Sequence, residues 1–408
     1  MLRAQVVGDD RAAYYVADLG PAGRGPVAGE SPGRWSGRGA DRLGLRGEVA
    51  AADLEAVLAG RDPGADRWLR REAPGRSVGG VDLVWCAPKS VSVLGLLGPA
   101  ELAREVTAAH HEAVADAAAY LERDAAGVRR SSGGSVRHLP AAGLVAAGFT
   151  HRTSRALDPH LHTHLVVANV AQGPDGLWSG LDTRRLFRHV ATASALYDAR
   201  LRHELVRRAG VAWERTAAGR WEVTGIDPVA LRLFSQRAAS MDEHRWRTRG
   251  REEPVRPRSR GRWAEDFHHD RPAKDTELAW SDLVRTWRAR AADVGVDLSE
   301  LARVVGRADA LGIADVDSPT LGPGSTIGGQ REGPEHRRLL AAVAEASPSG
   351  CTVRRAEDVA AALRGVGAMP PIEDHVRRRS TPGHEQIRAP VVDRGVDRSV
   401  GRGDRLGR

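Results

Sequence analysis

Two neighbouring segments that carry three histidines between them constrain the fold of this chain most. Residues 143–151 (GLVAAGFTH) and 162–170 (HTHLVVANV) are short, apolar and rich in β-branched residues, so both predict β-strands. Side chains alternate between the two faces of a strand, so His162 and His164 project to the same side, roughly 7 Å apart along the backbone. His151 ends the first strand, and if the two strands pair, it arrives beside the other two.

Three neutral imidazoles with open coordination positions are typical of a catalytic divalent-metal site rather than a closed structural one. The alternative is that these are ordinary surface or core histidines, since the chain has 15 and some lie close by chance. An isolated His-x-His pair would favour that alternative, whereas the third histidine at a strand end favours a metal site. Cellular supply makes Mg or Mn the expected ion, and the ligand preference of imidazole keeps Zn, Ni and Co as alternatives.

The remaining pattern predicts an α+β fold. Residues 81–85 (VDLVW) predict a third strand, and Pro88 suits the first turn of a helix. Apolar positions recur at helical spacing over residues 101–123, which predicts a long amphipathic helix, and another helix is expected near residues 190–208. We expect a central, mostly antiparallel sheet flanked by helices, with a small helical region towards the C-terminus.

Shifts in composition divide the chain into five predicted segments. Linkers and arms are indicated where arginine, proline and glycine become dense. The segments are a catalytic domain over residues 1–245, an Arg/Pro-rich arm with a helical extension over 246–314, a linker over 315–337, a small helical segment over 338–379 and a disordered basic tail over 380–408.

Charge and composition favour an anionic partner inside the cell. The net charge is +8, which suits nucleic acid, although the bias of a high-G+C genome towards arginine would raise it without any binding function.

Cys86 and Cys351 stand far apart, so no disulfide framework is expected. The sequence has no run of about eighteen apolar residues and no charged-then-apolar leader, so a cytoplasmic protein without a membrane span is expected.

Several short motifs lie in order along the first part of the chain. They are residues 33–35 (GRW), 43–45 (LGL), 60–63 (GRDP), 82–83 (DL), 87–92 (APKSVS), 149–155 (FTHRTSR), 158–159 (DP) and 162–164 (HTH). In these motifs the chain resembles the MobF (TrwC/TraI-like) conjugative relaxases of the HUH endonuclease superfamily. The resemblance runs from about residue 12 to 245 in the order of the family's motifs.

The resemblance implies a relaxase fold and a reaction. A tyrosine attacks the scissile phosphate of single-stranded DNA at a transfer origin, remains linked to the 5′ end and later allows rejoining. The match is the pair Tyr14 and Tyr15, of which Tyr14 is the first choice, although both could instead be packing aromatics. His151, His162 and His164 would hold the divalent metal at the scissile phosphate.

The resemblance also assigns supporting roles. Asp82 would orient a ligand imidazole and assist deprotonation of the tyrosine, although a lone aspartate on a strand is more often a surface acid. Lys89, Arg152 and Arg155 are candidates for DNA-phosphate contacts, and the alternative that each is an ordinary surface charge is equally favoured. His160 stands where relatives carry glutamine, so a surface or DNA-facing role is favoured over competition for the metal.

The helicase motor of many relatives is expected to be absent, because neither Lys89 nor Lys274 follows a glycine as a phosphate-binding loop requires. Two alternatives to an active relaxase stay open, a truncated, catalytically impaired DNA-binding remnant and a rolling-circle replication initiator. A three-histidine hydrolase acting on small molecules is a third. The expected partners are single-stranded DNA at a transfer origin and the accessory and coupling proteins of a transfer complex.

Overall fold

A computed structural model of the chain describes residues 1–8, 32–70, 78–154, 156–236, 279–310 and 333–365. The predicted tail over 380–408 and most of the predicted linker over 315–337 lie outside these residues. Contacts divide the chain into one unit of residues 1–370 and a second of residues 371–408, and the second contains no described residue.

A five-stranded antiparallel sheet organises the described residues, in the order β1-β3-β7-β6-β2. Its strands are β1 (Leu2–Gly8), β2 (Arg34–Ser36), β3 (Val78–Cys86), β6 (Ala146–Thr153) and β7 (Pro159–Ala168). The predicted pairing of the two histidine-bearing strands is confirmed, and the second begins earlier than expected because Pro159 and His160 already belong to it. The predicted α+β fold with a mostly antiparallel sheet is confirmed.

Two long helices cover one face of the sheet. They are α4 (Ala100–Tyr120) and α5 (Thr183–Ala209), which pack against each other and against apolar side chains of β3 and β7 such as Leu83 and Leu165. The predicted amphipathic helix is confirmed, since its apolar positions are buried in α4. Each large apolar side chain removed from water stabilises the fold by about 1.5–3 kcal/mol, so burial between the two layers holds these helices against the sheet.

At one end, the opposite face of the sheet is covered by a second layer of the described residues. Helices α1 (Arg38–Arg42) and α2 (Ala51–Ala59) lie near this end, where a second hydrophobic cluster includes Phe149 and Val166. Gly33 allows the approach of β2, because a Cβ at this position would lie 2.2 Å from the Phe149 ring. The other end of the same face carries the histidines.

Smaller elements extend from this core. A π-helical turn (Leu121–Ala125) follows α4, and α3 (Lys89–Leu97) follows β3. Three two-stranded ribbons are formed by β4 (Gly127–Ser132) with β5 (Ser135–Pro140), β8 (Ala171–Gln172) with β9 (Trp178–Ser179), and β10 (Trp213–Arg215) with β11 (Trp221–Val223). Helix α6 (Pro228–Leu233) follows the last ribbon.

The later helices pack on the same core as the sheet. They are α7 (Trp280–Asp293), a 3-10 turn (Leu298–Val304), α8 (Arg307–Ala310), α9 (Pro334–Ala346) and α10 (Val353–Gly365). Buried residues of α7, α9 and α10, such as Trp287, Leu340 and Ala360, belong to one cluster with the sheet residues. The domain boundaries drawn from the sequence stay a prediction. Among the helices that the structure describes, none is both long and apolar enough to cross a bilayer.

Candidate metal and DNA-cleavage site

Three histidine side chains converge on one face of the sheet, at the end away from the second hydrophobic cluster. His151 on β6 lies directly opposite His162 on β7, and His164 follows two positions later on the same face. The ring centroids form a nearly equilateral triangle, 5.3 Å from His151 to His162, 5.4 Å from His151 to His164 and 5.2 Å from His162 to His164. One ligand atom from each ring lies within 4.8 Å of the other two.

Hydrogen bonds at the far ring nitrogens orient two of these imidazoles. Nδ1 of His164 lies 2.8 Å from Oδ2 of Asp82, and Nδ1 of His162 lies 2.9 Å from the carbonyl oxygen of His160. The oxygen partners indicate the tautomer with the proton on Nδ1. This tautomer leaves the Nε2 lone pair free to bind a metal. The Nε2 atoms are therefore the ligands that these contacts select.

Asp82 is held by more than the histidine. The residue is fully buried on β3, and its Oδ2 also accepts a hydrogen bond of 2.9 Å from Nε2 of Gln5 on β1. A buried carboxylate is costly unless donors satisfy it, so Gln5 supports the position of Asp82. Sequence reasoning missed Gln5, although the alternation in residues 2–7 (LRAQVV) could have indicated an N-terminal strand.

The donor set fits a divalent transition metal. Neutral imidazole nitrogens suit ions such as Mn, Zn, Ni, Co or Cu, and three protein ligands leave positions open for a substrate. Within the described residues, these three histidines are the one group of three or more ligating side chains close enough to hold a common ion. His160 stacks on His162 with centroids 4.6 Å apart and is not a member of that group.

A buried hydrogen-bond chain lies behind the site, on the helical face of the sheet. Thr163, between two of the histidines, bonds through Oγ1 to Nε2 of His110 and to Oγ1 of Thr150, each at 2.8 Å. Nδ1 of His110 lies 2.8 Å from the hydroxyl of Tyr197. Burial lowers the pKa of His110 well below its ordinary value, so this ring is neutral. The sequence pattern placed His110 and Tyr197 on predicted helices but could not pair them.

The candidates for DNA contact occupy different surroundings. Lys89 at the start of α3 donates through Nζ to the carbonyl oxygen of Pro159 at 2.7 Å, and burial lowers the pKa of its amine against the influence of Asp158 and Glu222. The guanidinium of Arg152 lies 3.9 Å from the centroid of the Trp280 ring. Their roles towards DNA stay predictions. Arg155, Tyr14 and Tyr15 lie outside the described residues.

An antiparallel sheet with long helices on one face and a three-histidine cluster on the other is the architecture of conjugative relaxases. The chain is similar to the metal-bound structure of the conjugative relaxase TrwC in complex with origin-of-transfer DNA, with a TM-score of 0.63 and 30% identity over 73% of this chain and 100% of that one. TrwC complexed with a 27-mer DNA that comprises the recognition hairpin and the cleavage site is similarly close, with a TM-score of 0.62 and 29% identity at the same coverage. A copper-bound form of the TrwC complex gives a TM-score of 0.62.

The chain belongs to the TrwC relaxase family, whose family model matches residues 2–294. It is 30% identical over 374 residues to the multifunctional conjugation protein TraI of Escherichia coli K12, which covers 88% of this chain and 19% of that protein. A second Escherichia coli TraI is 33% identical over 230 residues, 53% of this chain and 12% of that protein. The chain thus spans about a fifth or less of the length of these curated relatives.

Proposed function

We propose that this chain cuts and rejoins one strand of DNA at a specific site of a conjugative transfer origin. Membership of the TrwC relaxase family supports the reaction type, and the relatives solved with origin-of-transfer DNA support the substrate. The observation that carries the proposal is the convergence of His151, His162 and His164, with Asp82 bonded behind His164.

The proposed chemistry is a transesterification at phosphorus. The phenolic oxygen of Tyr14, or of Tyr15 as the alternative, attacks the scissile phosphodiester, so one O–P bond forms while the bond from phosphorus to the 3′ oxygen breaks. The phenol loses its proton to a base and the 3′ oxygen gains one. Because one phosphodiester replaces another, the bond energy is retained and the free 3′ hydroxyl can reverse the step.

A divalent cation bound by the three histidines would withdraw charge from the non-bridging phosphate oxygens and offset the charge that develops on the leaving 3′ oxygen. We infer that Asp82 keeps the His164 ring in the orientation that aims Nε2 at this position. Asp82 is also our candidate to help deprotonate the tyrosine, because a phenol with a pKa of about 10 is a weak nucleophile at neutral pH. Mg or Mn is the proposed ion in use, with Zn, Ni and Co as alternatives.

The context of the proposed reaction is a cytoplasmic transfer complex. We propose single-stranded DNA as the substrate, relaxosome accessory and coupling proteins as partners, and Lys89, Arg152 and Arg155 as candidates for phosphate contact. Both cysteines of the chain are free thiols, which suits a reducing compartment. We keep residues 1–245 as the proposed catalytic domain.

The proposal is tested with end-labelled single-stranded oligonucleotides that tile a transfer origin, incubated with the protein and Mn²⁺. We expect a covalent protein–DNA adduct that survives denaturation and maps to one position on one strand. Tyr14→Phe or Tyr15→Phe identifies the nucleophile, and the double variant should abolish the adduct while retaining DNA binding. Tight binding without an adduct in the wild type would instead support an impaired remnant, and an adduct that persists in the double variant would overturn the proposed nucleophiles.

A further inference from the structure

The connection between the two histidine-bearing strands is a short, strained loop. Ser154 and residues 156–158 are the described residues between β6, which ends at Thr153, and β7, which begins at Pro159 and carries the other two histidines. Leu157 has a φ of 55°, and among the described residues it is the one non-glycine residue with a positive φ. A leucine disfavours this left-handed conformation, so surrounding contacts must hold the loop in it.

Hydrogen bonds within the loop account for its compactness. The backbone N–H of Ser154 donates to the carbonyl oxygen of Asp158 at 2.9 Å, and that of Leu157 donates to the carbonyl oxygen of Ser154 at 3.0 Å. Oγ of Ser154 accepts from the backbone N–H of Asp158 at 3.1 Å. None of these bonds uses the carbonyl oxygen of Leu157 itself.

Helix α7 supplies the contacts that the loop does not make internally. The indole N–H of Trp287 donates to the carbonyl oxygen of Leu157 at 2.7 Å, and Trp287 is fully buried. Both terminal nitrogens of Arg290 lie 3.5 Å from Oδ1 of Asp158, which is 1% exposed. At the start of the same helix, the Trp280 ring lies under the Arg152 guanidinium.

These three helix residues lie along one side of α7. Positions 280 and 287 are two turns apart, and 287 and 290 are neighbours on the helix surface, so a single face meets the loop. Trp280 and Trp287 also touch each other at right angles, with centroids 5.6 Å apart. The face reaches residues 152, 157 and 158, which means that it holds both ends of the connection between the metal-ligand strands.

We infer that α7 sets the metal affinity of the histidine triad by clamping this loop, with Trp280, Trp287 and Arg290 as positioning residues. The inference rests on the proposed function, since it takes the triad to be a metal site. Without the clamp, Leu157 relaxes towards a negative φ, the connection changes shape, and the end of the β6–β7 pairing, where His151 lies opposite His162, is held less firmly. The helix lies beyond the catalytic domain that the sequence pattern indicated, yet at the end of the family match over residues 2–294.

A role of α7 in packing alone predicts a different effect on metal affinity from a role in holding the loop. If α7 only buries apolar surface, then the indole N–H and the Arg152 contact are incidental, and removing them changes stability without changing metal affinity. A clamp instead makes metal affinity sensitive to those two contacts in protein that is still fully folded. The measurement must therefore report metal affinity separately from folding.

The test titrates Mn²⁺ into the full chain and follows free Mn²⁺ by its electron paramagnetic resonance signal. Trp287→Phe removes the N–H donor and keeps an aromatic ring, and Trp221→Phe is its control, because the Trp221 indole donates to the carbonyl oxygen of Glu345 away from the site. We expect Trp287→Phe to weaken Mn²⁺ binding about three- to tenfold, less than the roughly 10- to 100-fold seen for residues bonded directly to a metal ligand, because Trp287 acts through the loop. The control should stay within about twofold of the wild type.

A second variant, with its own control, tests the same inference if Trp287→Phe does not fold. Trp280→Leu removes the ring under Arg152 at a partly exposed position, and Trp68→Leu is its control, because Arg61 lies 5.5 Å from the exposed Trp68 ring. We expect a similar loss of Mn²⁺ affinity for Trp280→Leu only. Circular dichroism and urea unfolding establish that each variant is folded during the titration.

The outcomes separate this inference from the proposed function. Suppose that the wild type binds Mn²⁺ and forms the DNA adduct. If the folded α7 variants then bind Mn²⁺ as tightly as their controls, the role of α7 is overturned and the proposed function stands. A wild type that binds no Mn²⁺ overturns the proposed metal site and the clamp with it.

Discussion

Oδ2 of Asp82 lies 2.8 Å from Nδ1 of His164, and Asp82 is fully buried on the strand next to it. The two residues sit on the paired strands β3 and β7, one step diagonally apart, because His164 is directly opposite Val84. A buried carboxylate bonded to the far nitrogen of an imidazole fixes both the ring orientation and the tautomer. The orientation of the His164 ring is therefore set by a residue 82 positions earlier in the chain.

Replacing Asp82 by asparagine tests this relationship. The amide is the same size but has no charge, and its N–H₂ group competes for the position that now accepts from His164. We expect the Mn²⁺ affinity of Asp82→Asn to fall about 10- to 100-fold, as is usual when the partner of a ligand histidine is removed. Calorimetric titration of the metal-free protein measures the change.

Asp182→Asn provides the matched control. Asp182 lies 2.8 Å from Nδ1 of His138, so the same kind of pair exists outside the triad. Asparagine still caps the start of α5 as aspartate does, so folding is retained. Unchanged Mn²⁺ affinity is expected in Asp182→Asn, and equal losses in the two variants would show that the Asp82 effect is not specific to the site.

His160 stacks on His162, a proposed metal ligand, without joining the group of three. We expect His160→Phe to keep Mn²⁺ binding within about threefold of the wild type, because a phenyl ring preserves the stack and the backbone carbonyl still accepts from His162. His162→Ala should remove binding. If His160→Phe loses as much affinity as His162→Ala, then His160 is a metal ligand.

The buried chain through Thr163 should stabilise the fold beneath the site. In Thr163→Val the shape is retained but Nε2 of His110 loses its partner, which costs about 1–3 kcal/mol of the free energy of unfolding. Thr107→Val is the control, because its hydroxyl donates to the carbonyl oxygen of Ala103 in its own helix. Urea unfolding should show a loss of about 0.5 kcal/mol or less for the control, and equal losses would contradict the role of the chain.

Acid should destabilise the protein through its buried histidines. Burial, with help from nearby cations that include Arg337, lowers the pKa of His189 to about 3 from an ordinary value of 6.5. The unfolded chain therefore binds a proton between those values that the folded chain does not, so the free energy of unfolding falls as the pH falls from 6.5 towards 3. One such proton contributes a slope of up to about 1.4 kcal/mol per pH unit.

The slope is measured by urea unfolding at pH 7.0, 6.0 and 5.0. Wild-type stability should decrease steadily over that range, and His189→Gln should decrease less steeply because one of the neutral buried imidazoles is gone. Identical slopes in the two proteins would show that His189 does not titrate differently in the folded and unfolded chains.

Local patterns were sufficient to predict the central strands and the meeting of the histidines. Strand alternation puts His162 and His164 on one face whatever the surroundings, and antiparallel pairing of adjacent segments leaves few registers for His151. Likewise, the apolar spacing of α4 follows from helix geometry alone. These features depend on residues close together in the sequence.

Long-range contacts were not predictable in this way. Gln5 reaches Asp82 only because β1 adds to the edge of the sheet, and the Nζ of Lys89 turns inwards because the start of β7 presents a carbonyl oxygen to it. The packing of Trp287 against Leu157 joins residues 130 positions apart. A periodic pattern indicates which face of an element is buried but does not specify which distant atom it meets.

The number of metal ions bound per chain tests the central claim most directly. Equilibrium dialysis against Mn²⁺, with the metal measured by mass spectrometry, should find one ion per wild-type chain. Each of His151→Ala, His162→Ala and His164→Ala should bind none at the same free concentration while remaining folded. One ion retained in all three variants would contradict a shared site and, with it, the account of this chain as a metal-dependent relaxase.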